Sequence, residues 1–453
     1  MKELPAILTR GERARLFPVL ADTSKEGRSL SIFLACFQNV DEFGRSLLAG
    51  LGVRAGPRAK IETFTEVVLK KTNGTNNYRP DGLILVSTGG RTWTALVEAK
   101  VGAAELTPIQ VEAYLELAKL NGVDALITLS NQFAPLPSHH PVPVSASARK
   151  KVDLFHWSWM HVVTEAALLV SNEDIADRDQ QIILQEMNRF LLHPSSGVKG
   201  FEQMPAAWSD VVAKVQAGGK VLAGDEDTKD VVGAWHQEVG DLSLVLSRLL
   251  ETDVRVQMTR AHAADPAARQ KAAQAELSAE AKLEAAFLVP DAAAPIEVCA
   301  DLRSRSISAS MWLKAPEDRK TSKARLNWLL NQLQKTDDAG IHIRIHWPGR
   351  TAATQHPLKV LRDSPEVADR PGSTLTSFRV LLVRDLGAKF AQRKNFLTEL
   401  EGMVPDFYEQ VGANVRAWQA KAPKFREGKV EAEAVGTEAL RNEFEQQALT
   451  REG

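Results

Sequence analysis

Residues 79–100 constrain this chain more than any other stretch. Arg79-Pro80-Asp81-Gly82-Leu83-Ile84-Leu85-Val86 and Ala95-Leu96-Val97-Glu98-Ala99-Lys100 are two apolar runs. Ser87-Thr88-Gly89-Gly90-Arg91 joins them with the Gly-rich punctuation of a β-hairpin. Asp81 opens the first strand, and Glu98 and Lys100 close the second. Glu98 and Lys100 lie two apart, so their side chains share one face. Leu83, Leu85, Leu96 and Val97 mark both strands as interior, where two carboxylates and an amine cost stability unless something compensates them. A divalent cation would.

The rest of the composition narrows the class. A chain of 453 residues is expected to form two or three domains. Its formal net charge is −1, so any nucleic-acid surface must be a local patch rather than a global field. The two cysteines, Cys36 and Cys299, supply neither a Cys-rich metal site nor a disulfide framework. His139, His140, His156 and His161 lack metal-ligand spacing. Met1 to Arg10 has no apolar region behind positive charges, and no apolar run reaches membrane-spanning length. The expectation is a reducing, cytoplasmic compartment and no membrane partner.

In chain order, residues 1–27 read as polar and turn-rich, with Arg10, Arg13 and Arg15 close together. Ser29 to about Leu51 reads as helix, broken near Asn39; Phe43, Leu47, Leu48 and Leu51 recur at helical spacing. Lys60 to Leu69 is rich in β-branched residues and reads as a strand. A loop from Lys71 to Tyr78 leads into the hairpin. Thr107-Pro108 opens a helix to about Leu120, with Thr as N-cap and Pro at the first helical position. Val123 to Ser130 and Lys151 to Met160 read as strands, and His161 to Ser171 and Gln180 to Leu192 as helices. The pattern is an α/β sandwich, a mixed sheet with helices on both faces.

This order, with Asp81, then Glu98-Ala99-Lys100, then Gln110-Val111-Glu112-Ala113-Tyr114, resembles the PD-(D/E)XK nuclease superfamily. Pro80-Asp81 and Glu98-x-Lys100 match its core motif, and Gln110-x-x-x-Tyr114 looks like the helical motif of its RecB-like branch. The resemblance covers roughly residues 28–170. It implies a restriction-endonuclease-like fold and Mg²⁺-dependent phosphodiester hydrolysis, with Mn²⁺ substituting. Magnesium prefers oxygen ligands and keeps several waters, so two carboxylates suffice. Asp81 and Glu98 are the expected ligands, and the resemblance implies the Ala99 carbonyl as a third. Lys100 would hold the attacking water or stabilise developing charge. Gln110 would orient the water or a ligand, and Tyr114, one turn on, would contact the DNA backbone. Glu42, in the helix before the first strand, matches the family's additional carboxylate; Glu62 and Glu66 compete for that role. Thr107-x-x-Gln110 is also a capping box, which by itself accounts for a glutamine there.

A boundary is expected near residue 194, then a linker over 195–230 carrying one short helix, Ala207 to Val215. Residues 231–420 read as a separate α+β domain for substrate or partner binding. Its expected sheet has roughly four to six strands, counted from the strand pattern. A polar tail covers 421–453. Arg303, Arg305, Lys314, Arg319, Lys320, Lys323 and Arg325 crowd one segment. They form a phosphate-binding patch if the hairpin and the following helix start face one way.

The functional expectation is a metal-dependent DNA endonuclease, cutting internally in preference to from an end, in bacterial anti-phage defence, restriction or repair. DNA, other defence proteins and a second copy of the chain are the expected partners. The alternative is a nuclease fold kept as a binding module for DNA or a protein, with little hydrolysis. The motif leaves RNA open as a substrate.

Overall fold

The computed structural model describes residues 4–18, 24–71 and 79–419. The first half runs β1 (Leu8–Arg13), α1 (Lys25–Asn39), α2 (Asp41–Gly50), β2 (Lys60–Leu69), β3 (Gly82–Thr88), β4 (Arg91–Ala99), α3 (Pro108–Asn121), β5 (Ala125–Ser130), β6 (Asp153–Ser158), α4 (Trp159–Ser171) and α5 (Arg178–Leu192). Its six strands form one mixed sheet in sequence order. β1 to β4 pair antiparallel, and β4, β5 and β6 pair parallel.

Local chemistry explains these elements. Thr88 pairs with Arg91, leaving a two-residue loop, Gly89-Gly90, with φ of 52° and 88°. Positive φ at both positions is the demand of a type I′ hairpin, and glycine meets it without a Cβ clash. Antiparallel pairing ends at β4 because the next connection is α3, long enough for a parallel crossover. Thr107 Oγ1 caps α3 by accepting from the Gln110 N–H, and Gly122 at φ 68° ends it.

The sheet separates two apolar layers. Ile84, Val86, Ala95, Val97, Ala99 and Ile127 pack with α1, α2, α4 and α5 around Phe33, Phe37, Phe43 and Trp159. Leu83, Leu96, Leu126 and Leu154 pack on the other side with Val111, Tyr114, Leu115 and Ala118 of α3. The alternation follows the pleat, so Asp81, Glu98 and Lys100 belong to the α3 side. The helical stretch read from Ser29 to Leu51 is two helices, and the break expected near Asn39 falls at Val40, which is extended at φ −107°, ψ 100°.

Residues 1–27, expected to be irregular, hold the edge strand β1 and the start of α1. Only Leu8 of β1 is buried. Its register against β2 shifts on both sides of Arg10. A charged, bulged edge strand protects the sheet from further pairing but lacks the apolar alternation that announces a strand. The loop read over residues 72–78 and the tail over 421–453 lie outside the described residues.

The second half runs α6 (Ala207–Gln216), α7 (Glu226–Leu250), β7 (Arg255–Val256), α8 (Arg260–Ala264), α9 (Pro266–Glu280), β8 (Lys282–Leu288), β9 (Ile296–Asp301), β10 (Ser306–Lys314), α10 (Ser322–Gln332), β11 (Ile341–His346), β12 (Thr354–Pro357), α11 (Leu358–Asp363), β13 (Ser377–Asp385) and α12 (Arg393–Phe407). Its seven strands form an antiparallel sheet in the order β12-β11-β13-β10-β9-β8-β7. That exceeds the expected count because β12, of four residues, is too short to show a period of two. Ile307, Ala309, Met311 and Leu313 of β10 face a core with Trp208, Trp235, Leu242, Leu329, Phe396 and Leu400. Residues 195–230, expected as a linker, thus send Trp208 of α6 into this core.

Both sheets belong to one compact unit that extends to Trp418. Gln237 of α7 bonds both backbone groups of Phe133, and Arg248 bonds the Thr164 hydroxyl of α4. The molecule is therefore mixed α/β, with a mixed and an antiparallel sheet. Among the described residues, no helix is long and apolar enough to cross a membrane.

Candidate active site

Backbone register assembles the site. Gly82 pairs with Val97 and Thr65, so Asp81, one residue earlier, lies across from Glu98 on one side. On the other, its carbonyl accepts the Glu66 N–H at 3.0 Å. Glycine at 82 answers a close approach: a Cβ there would lie 2.9 Å from Leu34 Cδ1 and 3.2 Å from the Phe64 carbonyl oxygen. Contact between α1 and the start of β3 depends on it.

The side chains then lock together. Asp81 Oδ2 accepts the Ala99 N–H at 2.9 Å. Lys100 Nζ donates to Glu98 Oε1 at 2.7 Å, to the Ala99 carbonyl at 2.9 Å and to Glu26 Oε1 at 3.1 Å. These use all three donors of the ammonium. Gln110 Nε2 donates to the same Glu98 Oε1 at 2.8 Å. The Lys100 backbone is fixed on both sides, its N–H donating to the Leu129 carbonyl at 2.8 Å and its carbonyl accepting from Trp159 Nε1 at 2.8 Å.

Glu98 is 2 % exposed, and its Oε2 has no hydrogen-bond partner among the described residues. Burial, then the charge of Asp81, pushes the Glu98 carboxyl up to about 8 against the pull of Lys100. Burial also raises Asp81, more than the Ala99 N–H and Lys100 offset. Lys100 is depressed by its own burial, but Glu98, Asp81 and Glu26 outweigh that and hold it above the ordinary lysine range. Three carboxylates thus meet one ammonium, and the cluster has room for more positive charge.

The cluster opens into a cleft of about 380 Å³. Asp81 and Glu26 line it, together with Arg10, Arg13, Arg15 and Arg79. An acidic floor with guanidinium walls suits a cation and a polyanion at one place.

Asp81, Glu98, Ala99, Lys100 and Gln110 are therefore brought together. The Gln110 side chain reaches Glu98 rather than turning back to its own helix cap, so only half of the capping box forms. Tyr114 faces Glu98 but is 3 % exposed and donates to the Arg79 carbonyl at 3.2 Å. Burial, then the charge of Glu98, raises its hydroxyl above the ordinary tyrosine range. The expected contact of Tyr114 with a DNA backbone is thus corrected: the side chain is in the scaffold.

Glu42 lies in the first turn of α2 and makes no hydrogen bond or ion pair with the cluster among the described residues. The carboxylate from the preceding helices is Glu26, in the first turn of α1. Its sequence signal, an acid two residues after Ser24, is masked by Gly27 and Arg28, which interrupt the apolar period. Glu62 is held by Arg13 at 2.7 Å and Lys60 at 2.6 Å. Glu66 lines the cleft 3.7 Å from Arg10.

The expected basic patch divides. Arg303 and Arg305 precede β10, whereas Lys320, Lys323 and Arg325 follow it. A nine-residue strand spans roughly 27 Å. Arg325 is also committed inward, donating to the Arg319 and Leu375 carbonyls. The histidines serve the fold: the Thr128 hydroxyl lies 2.9 Å from His140 Nε2 and 2.8 Å from His156 Nδ1. Burial pushes these rings down to about 4 and about 3.

No protein-family model and no curated protein matches the chain.

Proposed function

We propose that the chain is a Mg²⁺-dependent nuclease with a restriction-endonuclease-like first half. The observation that supports it is the junction of Asp81, Glu98, the Ala99 carbonyl and Lys100, which reaches an arginine-lined cleft through Asp81. The donors fit the ion. All are oxygens, Glu98 Oε2 is buried without a partner among the described residues, and mutual repulsion of the carboxylates favours an added cation. Among the described residues no three His, Cys, Asp or Glu side chains converge to cage a metal. A site of two carboxylates, a carbonyl and waters does not require that. Asp81, Glu98 and the Ala99 carbonyl would hold Mg²⁺, which supplies a water acidic enough to ionise near neutral pH and charge for the phosphoryl oxygens.

The protein's own groups do the rest. The ammonium of Lys100 is bonded to the oxygens that the ion would use, so each oxygen that turns away frees an N–H. That N–H then donates to the attacking water or to a phosphoryl oxygen. Gln110 fixes the rotamer of Glu98, and Glu26 fixes Lys100. The arginines neutralise the strand that enters.

DNA is the proposed substrate, and bacterial defence, restriction or repair the proposed setting. The test is incubation with supercoiled, linear and single-stranded DNA, and with RNA, in Mn²⁺ or Mg²⁺, wild type beside Lys100→Ala and Glu98→Gln. Cleavage by the wild type alone supports the reading. Equal cleavage by all three proteins assigns it to a contaminant. Metal binding that Asp81→Ala removes, without cleavage, points to the binding module instead.

A further inference from the structure

The four arginines of the cleft are not equivalent. Arg13 is paired with Glu62 at 2.7 Å and stacked 5.0 Å from the Phe64 ring centre. Arg15 is paired with Glu12 at 3.2 Å, and Arg10 lies 3.7 Å from Glu66. Arg79 lines the same cleft, is exposed, and has no acidic partner among the described residues. It lies two residues before Asp81, and rigid Pro80 between them limits how far its Cα can move from the acid. Its carbonyl is fixed by the buried Tyr114 hydroxyl of α3 at 3.2 Å. Among the described residues Arg79 is thus a guanidinium without an acidic partner, on a backbone that Tyr114 holds, two residues from a carboxylate that lines the same cleft.

Resting on the nuclease reading, we propose that Arg79 binds a backbone phosphate of the nucleic-acid strand next to the bond that is cut. Tyr114 is its positioning residue, acting through the Arg79 carbonyl. The chemistry recognised is a phosphodiester monoanion. Arg79 is free to form two parallel N–H···O bonds to it, whereas each of the other three must first give up a carboxylate. Arg79 adds no proton transfer; its contribution is to place the strand and neutralise one charge.

The test is binding, not turnover. Fluorescence anisotropy of the full chain with an end-labelled oligodeoxynucleotide is followed across salt concentrations. Ca²⁺ replaces Mg²⁺, since it takes the same oxygen ligands with looser geometry. Arg79→Ala is expected to raise Kd about tenfold at low salt and to flatten the slope of log Kd against log salt by about one contact. Arg79→Lys is expected to keep the slope while losing part of the affinity. Tyr114→Phe is expected to weaken binding in the wild-type background but not further in Arg79→Ala, because the two act as one unit. An unchanged slope in Arg79→Ala overturns the assignment of Arg79. Additive losses overturn the role of Tyr114. A wild-type chain that binds no nucleic acid overturns the nuclease reading itself, so the two failures are distinguishable. Melting curves of each variant establish that it is folded.

Discussion

Glu98→Gln tests the electrostatics of the buried cluster without reference to catalysis. Glu98 titrates at about 8 in the folded chain, against 4.5 for an ordinary glutamate. A carboxyl raised by folding binds its proton more tightly in the native state. Folding stability is therefore undiminished below the unfolded value, declines as pH rises through the interval, and levels off above about 8. At 1.36 kcal/mol per pH unit, full expression of the gap comes to an upper bound of roughly 5 kcal/mol. Relaxation of the neighbours and the coupling to Lys100 bring the expected figure nearer 2 kcal/mol. Other groups move in the same range. Glu401 is raised to about 7 by burial and by Asp241. The histidines His140 and His156 act with the opposite sign at acid pH, since stability from a depressed base is lost as pH falls. The measured quantity is therefore the difference between wild type and Glu98→Gln in urea unfolding free energy, in EDTA, from pH 5 to 9. The variant is expected to gain on the wild type by about 2 kcal/mol over that span. Saturating Mg²⁺ is expected to flatten the wild-type curve at the alkaline end, because the ion binds the ionised carboxylates. A difference that stays constant within about 0.5 kcal/mol from pH 5 to 9 refutes the reasoning, because Glu98 would then titrate alike in both states.

Mg²⁺ or Mn²⁺ is expected to raise the melting temperature of the wild type but not of Asp81→Ala, as read by scanning calorimetry. Lys100→Met is expected to abolish cleavage while the fold, read by circular dichroism, persists; full activity in that variant would remove the lysine from the chemistry. Thr128→Val, which takes away the hydroxyl between the buried His156 and the half-buried His140, is expected to cost about 1–3 kcal/mol in urea unfolding, and a neutral result would deny the bridge its structural weight. Arg325→Ala is expected to lower stability and leave nucleic-acid affinity unchanged; the reverse outcome in paired unfolding and anisotropy measurements would return that side chain to a binding surface.

Much of the site was legible because strand chemistry is local. Two apolar runs around Gly89-Gly90 define a hairpin, and its pleat places Glu98 and Lys100 on one face whatever surrounds them. The cap at Thr107-Pro108 likewise places Gln110 and Tyr114 one turn apart. Charged edges were less legible. β1 carries Arg10, Glu12 and Arg13 where a buried strand carries apolar residues, so its strand character exists only through pairing with β2. Glu26 and Arg79 escaped notice for a related reason. Each is an ordinary surface residue until the fold places one against Lys100 and the other in the cleft, without an acidic partner among the described residues.

The sequence by itself determined which residues form the hairpin, its turn and the helix that follows, because φ preference, capping and period-two alternation act over a few neighbours. Tertiary structure alone decided that α1 lends Glu26 rather than α2 lending Glu42, and that Tyr114 is buried. It also decided that the basic residues flanking β10 lie at opposite ends of a strand. Those outcomes depend on strand pairing and layer packing between residues far apart in the chain, and no local preference encodes such contacts.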